Sequence, residues 1–356
     1  MARRECKAGV RRPLRVAGVR VEFQSEKDFV RRFHAALDAA PPEALGDVLA
    51  AHLAPGHHWR GVHPFGEIRG AEALAEEFWR PLRRALTSMR RRDDVFFAGR
   101  SHTEDGGGRA GAVWVVSMGH LLALFDAPWL GIRPTQRIVM LRQCTFHRVE
   151  GGRIAETTMH MDVPDLMMQA GLRPFPVQTG AHLVQPGPAT QDGLLHGPQP
   201  PEEGERTLAL IESMISDLGQ WGLGLPLEEE LRRSWAEDML WWGPAGIGST
   251  FTIPRYAEQH SAPFRAGFAD RSPTRHVARL AEGSYGGFFG WPNFTARPTG
   301  GALGLPATGE SGEFRVIDIY RRDGDRLAEN WVFIDLLHFW SQQGVDVLNR
   351  TIRAEG

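Results

Sequence analysis

Two cysteines, Cys6 and Cys144, are all that the 356 residues contain. They are too few and too far apart to staple a secreted fold or to build a zinc site, and a reducing cytoplasm fits that usage. Long apolar runs are missing too. No stretch approaches the roughly 18 residues a membrane helix needs, so no membrane partner is expected. Nor does one sign of charge dominate: 41 Lys and Arg stand against 43 Asp and Glu, which leaves no electrostatic footprint for nucleic acid over the whole chain. The one basic run is the start, MARRECKAGVRRPLRVAGVR, with seven Lys and Arg. It lacks the apolar core of a secretory signal, and residues 1–24 read as a solvated basic arm. What remains is ordinary for a globular protein, 42% hydrophobic and 24% charged, and the length calls for two cores.

Those two cores show as a repeat. WRGVHPFGEIRGAEALAEEFWRPLRR, from Trp59, aligns without a gap to WWGPAGIGSTFTIPRYAEQHSAPFRA, from Trp241. Trp59/Trp241, Gly61/Gly243, Gly66/Gly248 and Pro81/Pro263 match at a constant offset of 182. Further on, LGIRPT from Leu130 meets LGLPAT from Leu303, and EGGRIAETTMHMDVPDLMMQAG from Glu150 meets DGDRLAENWVFIDLLHFWSQQG from Asp323, now at an offset of 173. The first copy therefore carries nine more residues between the two blocks, as divergent duplicates do when change is confined to loops. The copies are read as residues 25–171 and 205–356, joined by a Pro/Gly-rich linker over 172–204.

Each copy has the same coarse order. Helices are predicted around Glu26 to Ala40, Pro42 to His52 and Ala71 to Leu86, and around Glu205 to Gly219, Leu227 to Trp235 and Ile253 to Gly267. Strands follow, the last two joined by a hairpin at EGG or DG. A closing helix takes Asp162 or Asp335 as its N-cap. Helices first and an antiparallel sheet afterwards is an α+β pattern.

Trp-x-Gly, a helix ending in Pro-Leu/Phe-Arg, then LPATG, IDIYRRDGDRLAENW and DLLHFWSQQGV together resemble the SnoaL-like polyketide cyclases and their ester-cyclase relatives. The resemblance covers nearly all of both copies. It implies the cone-shaped fold of the nuclear-transport-factor-two-like superfamily, here as two tandem cones, each a strongly curved antiparallel sheet on about three helices. The pair would form a pseudo-two-fold dimer within the chain, with room for a homodimer on top of it. That fold hosts cyclases, isomerases, dehydratases and binding proteins, so function has to come from the site.

The resemblance implies an acid/base Asp on the penultimate strand, which here is Asp318. If Asp323 and Gly324 are the central turn residues, Asp318 faces Glu329, and alternation puts Asp318, Tyr320, Glu329 and Trp331 on one face. Two carboxylates in one apolar pocket cannot both ionise cheaply, so one is expected to hold a proton near neutral pH. The opposite expectation is that both sit on the outer face beside Arg315 and Arg321, because a one-residue slip in register exchanges the faces. In the first copy Thr145 stands where Asp318 stands in the second, while His147, His160 and Glu156 are expected on one face, with His120 nearby. That copy reads as a binding or scaffolding unit.

HHWRGVH gathers His57, His58 and His63, and Asp126 and further histidines follow, yet no HExxH or paired CxxC accompanies them. No metal and no cofactor is expected. Trp242, Tyr285, Trp291 and Trp331 are candidate pocket walls, with His120, His147 and Glu156 their counterparts in the first copy. The segment FFGWPNFTARPTGG is either a lid or a long surface loop. The reading is a cofactor-independent lyase or isomerase acting on a small carbonyl compound, with Asp318 as base and Glu329 or Tyr320 returning the proton. A non-catalytic binding or scaffolding protein is one alternative, and a hydrolase or dehydratase using the same pocket is another.

Overall fold

The structure is a computed structural model that describes residues 15–16, 19–20, 22–103, 111–219 and 226–355. Most of the expected basic arm lies outside them; within it β1 (Arg15–Val16) and β2 (Val19–Arg20) pair antiparallel. Val30, Phe33, His34 and Leu37 recur at helical spacing and are buried, so α1 (Gln24–Ala39) packs one stripe inward. α2 (Leu45–His52), β3 (Leu53–Gly61) and β4 (Gly66–Arg69) follow. α3 (Ala71–Leu74) and α4 (Arg80–Ala85) flank a π turn over Ala75–Trp79. β5 (Leu86–Arg100), β6 (Val113–Phe125), β7 (Ile138–Glu150) and β8 (Arg153–Met161) complete a six-stranded sheet in the order β4-β3-β8-β7-β6-β5. Neighbours run antiparallel except β3 and β8, which are parallel. α5 (Val163–Gln169) closes the copy, and Asp162 caps it by accepting from the Asp165 N–H at 3.1 Å.

The second copy repeats the plan with α6 (Pro201–Gly219), α7 (Leu227–Leu231), β9 (Trp235–Trp242) and β10 (Thr250–Phe251). α7 stops short of the expected Trp235, which already opens β9. α8 (Ile253–Tyr256) and α9 (Ala262–Gly267) again flank a π turn, over Ala257–Ser261. β11 (Phe268–Pro273), β12 (His276–Glu282), β13 (Tyr285–Gly290), β14 (Phe294–Pro298), β15 (Gly312–Phe314), β16 (Val316–Asp323) and β17 (Arg326–Ile334) come next. The main sheet runs β10-β9-β17-β16-β13-β12, and β11-β14-β15 form a second sheet of three. FFGWPNFTARPTGG is thus the end of β13 and the whole of β14 rather than a free loop. α10 (Leu336–Gln342), capped by Asp335, and α11 (Val347–Glu355) end the chain.

The shared Trp-x-Gly motif has a steric cause. Each indole folds back over the glycine two residues on, so an added Cβ would lie 1.9 Å from the Trp59 ring at Gly61 and 2.0 Å from the Trp241 ring at Gly243. The motif seats a tryptophan on the floor of each cone.

Hairpin register is where the structure departs from the sequence reading. Asp323 pairs with Arg326, so Gly324 and Asp325 are the central turn residues, and Gly324 takes the positive φ of 53° that the turn needs. A bulge then places Arg321 opposite Glu329, Tyr320 opposite Asn330 and Asp318 opposite Val332. The first copy bulges at the matching place, with Arg148 opposite Glu156 and Val149 opposite Ile154. The expected pairing of Asp318 with Glu329 is therefore out by three positions. An odd slip exchanges the faces.

The outer faces of the two main sheets pack back to back. Trp114, Phe146 and Cys144 of the first copy share one apolar cluster with Phe289, Trp331 and Phe333 of the second. Contacts around this seam are reciprocal. Asp162 accepts from the Ala245 N–H at 3.0 Å, and Asp335 accepts from the His63 N–H at 2.8 Å. Ala245 and His63 differ by the same 182 positions that relate the repeats, so the seam has the pseudo-two-fold form of an isologous dimer contact. Lys27, wholly buried, joins Glu282 across it at 2.6 Å and donates to the Leu195 and Gly197 carbonyls of the linker. The linker is itself ordered against both copies: Leu194 bridges to Phe96 and Ala181 to Ser249.

Candidate active site

The inner face of the second sheet, closed over by α6 and the α8–α9 rod, encloses a cavity of about 370 Å³. Asp318 and Tyr320 on β16, Asn330 on β17, Tyr256 and His260 on the helical rod, and Arg271 on β11 all reach it. Alternation along β16 and β17 explains the first three: Asp318 and Tyr320 are two apart, and Asn330 faces Tyr320 across the ladder. Trp235, Trp241 and Phe288 supply aromatic wall.

Burial dominates the electrostatics. It raises the Asp318 carboxyl to about 7, against hydrogen bonds from Asn330 and Tyr320 and the nearby Arg271 charge, which hold it from going higher. Asn330 Nδ2 lies 3.4 Å from Asp318 Oδ1 and donates to the Ile319 carbonyl at 3.0 Å, which fixes its direction. The Tyr320 and Tyr256 hydroxyls are pushed upward by burial and then by the Asp318 charge, so both remain proton donors. Burial drives His260 down to about 3, leaving a neutral imidazole stacked on Trp241 with centroids 3.9 Å apart. His276, stacked on Phe288 at 4.1 Å, is lowered to about 3 by burial and then by Arg279. Only Asp318 among these groups changes charge near neutrality. The set can exchange a proton at Asp318 and offer hydroxyl and guanidinium hydrogen bonds to an oxygen beside it.

Several expected site residues lie elsewhere. Glu329 and Trp331, a register step away from Asp318, face the seam. Glu329 accepts from the linker N–H of Ala189 at 3.0 Å, with Arg321 at 3.4 Å, and Trp331 Nε1 donates to the Pro186 carbonyl. Trp242 and Tyr285 also belong to the seam cluster, the Tyr285 hydroxyl reaching Asp192 at 2.5 Å. It is Trp241, the other member of the pair, that lines the cavity. Trp291 lies under the Arg315 guanidinium at 3.9 Å and donates to Glu67 of the first copy.

In the first copy Glu156 turns outward between Arg60 and Arg148, each 2.9 Å away. His120 faces the seam, 3.4 Å from Asp94. His160 shares that outer face; it pairs with Cys144. His147 alone of the four enters its cone, where its Nε2 meets His34 Nε2 at 3.1 Å and its Nδ1 meets the Thr157 hydroxyl at 3.0 Å. Thr157 also meets His57 Nε2 at 3.0 Å. Burial holds His34 and His147 well below the usual imidazole range and His57 at about 4. His58 turns instead to Glu67, and among the described residues no three His, Cys, Asp or Glu side chains are placed to hold a metal ion. The space beside this network is about 20 Å³, about that of one water molecule.

Tyr256, His260, Asn330 and Arg271 were not singled out by the sequence reading. The repeat carried a signal for the first two: Tyr256 and His260 align with Leu74 and Phe78 at the offset of 182, an exchange of apolar for polar groups on one helical face.

A cone in each half, the second holding an open cavity, defines a tandem α+β protein. Comparison with known families places it further. The SnoaL-like domain profile matches residues 30–157, and that of the SnoaL-like polyketide cyclases matches residues 291–343. Each copy therefore carries a SnoaL-like match, and the chain is SnoaL-like in both halves. None of the curated proteins matches it. Among solved structures, a candidate SnoaL-like polyketide cyclase from Jannaschia sp. CCS1 is 21% identical over 42% of this chain and 92% of its own, with a TM-score of 0.31. IdmH from Streptomyces antibioticus, a candidate polyketide cyclase, is 20% identical over 39% and 99%, with a TM-score of 0.32. An NTF2-like protein from Burkholderia thailandensis is 21% identical over 41% and 95%, with a TM-score of 0.30. The family supports a role of the cyclase or isomerase type in coarse terms. In the described residues no helix is long and apolar enough to cross a membrane.

Proposed function

We propose that the second domain catalyses cofactor-independent proton transfer on a small carbonyl compound, as an isomerase or an intramolecular cyclase. The observation that carries this reading is Asp318 in the wall of a cavity of aromatic and aliphatic side chains, with its carboxyl raised to about 7 by burial. A general base works best when its pKa lies near the working pH, because it is then both available and strong enough. Ionised Asp318 takes the proton from the carbon alpha to the carbonyl. The electron pair moves onto the carbonyl oxygen, where Arg271 and a Tyr256 or Tyr320 hydroxyl stabilise the enolate. Protonated Asp318 then returns the proton to another atom for an isomerisation. In a cyclisation the enolate carbon attacks a second carbonyl of the same molecule, and Asp318 protonates the alkoxide. Glu329, on the far face, takes no part. Tyr320 acts as a hydrogen-bond donor.

The test is exchange of the alpha hydrogens of 2-pentanone for deuterium, followed by NMR. Asp318→Asn keeps the shape and removes the base, and is expected to slow exchange by roughly 10²–10⁴-fold. Exchange that continues at the wild-type rate would falsify the assignment.

A further inference from the structure

A second cavity, of about 500 Å³, adjoins the first, and His260, Phe264 and Ile334 line both. The two cavities therefore share a wall at those residues, which a ligand spanning both has to part. The two differ in character. The Asp318 cavity combines aromatic rings and aliphatic side chains with the charged groups of Asp318, Arg271 and Arg279. The annex is lined by aliphatic groups, among them Ile247, Pro263, Leu303 and Leu336, with glycines, phenyl rings and the neutral Gln178, Thr179 and Gln259, and among the described residues that line it none carries a carboxylate, a guanidinium or an amine. Part of its wall, Pro176–Thr179, comes from the linker after the first copy, and another part from the turn over Gly300–Gly304. Phe268 and Phe314, packed edge to face at 5.1 Å, form a further side.

We propose that the second domain takes an amphiphilic substrate, whose carbonyl head lies against Asp318 and whose alkyl chain lies in the annex past His260 and Phe264. The inference rests on the preceding reading only for which end of the ligand is the head. Aliphatic surface without a charge gains from covering by a chain and loses from covering by anything that brings a charge with it. A neutral imidazole and a phenyl ring at the junction can touch both parts of such a molecule. The linker then acts as a specificity element, and one copy's exit segment shapes the other's ligand site.

Methyl ketones from 2-pentanone to 2-undecanone, titrated into the full chain and followed by tryptophan fluorescence, test this. Each added methylene is expected to lower Kd by about two- to fourfold. Ile247→Trp, at a half-buried residue of the annex wall, fills the annex. This variant is expected to bind 2-pentanone as the wild type does and to lose the gain for the longer ketones. A Kd independent of chain length in the wild type, or an unchanged slope in Ile247→Trp, overturns the proposal. Asp318→Asn separates the two claims: the chain-length slope persists in it whether or not exchange is lost. A slope together with undiminished exchange in that variant sinks the catalytic reading alone, and lost exchange without a slope sinks the annex alone.

Discussion

Where the second cone has Asp318, Tyr320, Asn330, Tyr256 and His260, the first has Thr145, His147, Thr157, Leu74 and Phe78. Backbone plan, N-caps, Trp-x-Gly floor and strand bulge are common to both, so the contrast lies in side chains. In the first cone Phe78 packs on Trp59 with centroids 4.7 Å apart, and a chain of neutral imidazoles and one hydroxyl links His34, His147, Thr157 and His57. In the second the floor tryptophan stacks on His260, and a carboxyl, two phenols and a guanidinium face a cavity nearly twenty times larger. A cone becomes a site when open space is left beside its polar groups; when apolar bulk fills that space, it becomes a core.

Swapping that logic between copies gives the largest expected effect. Asp318→Asn costs the orders of magnitude in exchange stated above, whereas Thr145→Val at the matching position of the first copy is expected to leave the rate unchanged. An equal loss in both would mean that the cones work as one unit. Next is packing: Phe78→Ala, a fully buried ring, is expected to cost about 3–5 kcal/mol in urea unfolding. His260→Ala, beside a cavity that already exists, should cost about 1 kcal/mol, the worth of one ring stack. Equal losses would show that the first cone is not the more tightly filled.

The pH dependence should differ in sign. Asp318 is raised from 3.8 to about 7, so the folded state holds its proton the longer, and this contribution to stability is present below pH 4 and lost as the pH rises to 7. His34, His57 and His147 are lowered, so theirs is present above the usual imidazole pKa of 6.5 and lost as the pH falls below it. Between pH 4 and 7, Asp318→Asn should therefore gain stability relative to the wild type as the pH rises, and His147→Asn should gain relative to it as the pH falls. Unfolding midpoints of both variants across that range check the signs, and divergence in the same direction would contradict the contrast.

Much of this architecture was legible in the sequence. Two offsets, 182 and 173, defined the duplication and return in the seam as reciprocal contacts to Asp162 and Asp335. The helix caps were legible because a capping Asp before an apolar run has a local cause. Which face Glu329 and Trp331 occupy was not, because a bulge beside Ala328 adds one residue to β17 and no residue type announces it. That shift sent the expected partner carboxylate to the seam and put Asn330 beside Asp318 and Tyr320. Choosing Trp242 over Trp241 was the same kind of error, since strand neighbours point to opposite faces and only the pairing tells which is which. The filled first cone was half visible in Thr145, and the aligned exchange of Leu74 and Phe78 for Tyr256 and His260 would have completed the picture.

The account stands on how one carboxyl titrates. With aspartate carboxyl carbons labelled with carbon-13, NMR over pH 3 to 9 should show a resonance with its midpoint near 7, absent from the spectrum of Asp318→Asn. If the signal missing from that variant titrates instead near 4, where an ordinary aspartate does, Asp318 is fully ionised at neutral pH and the proposed proton transfer is contradicted.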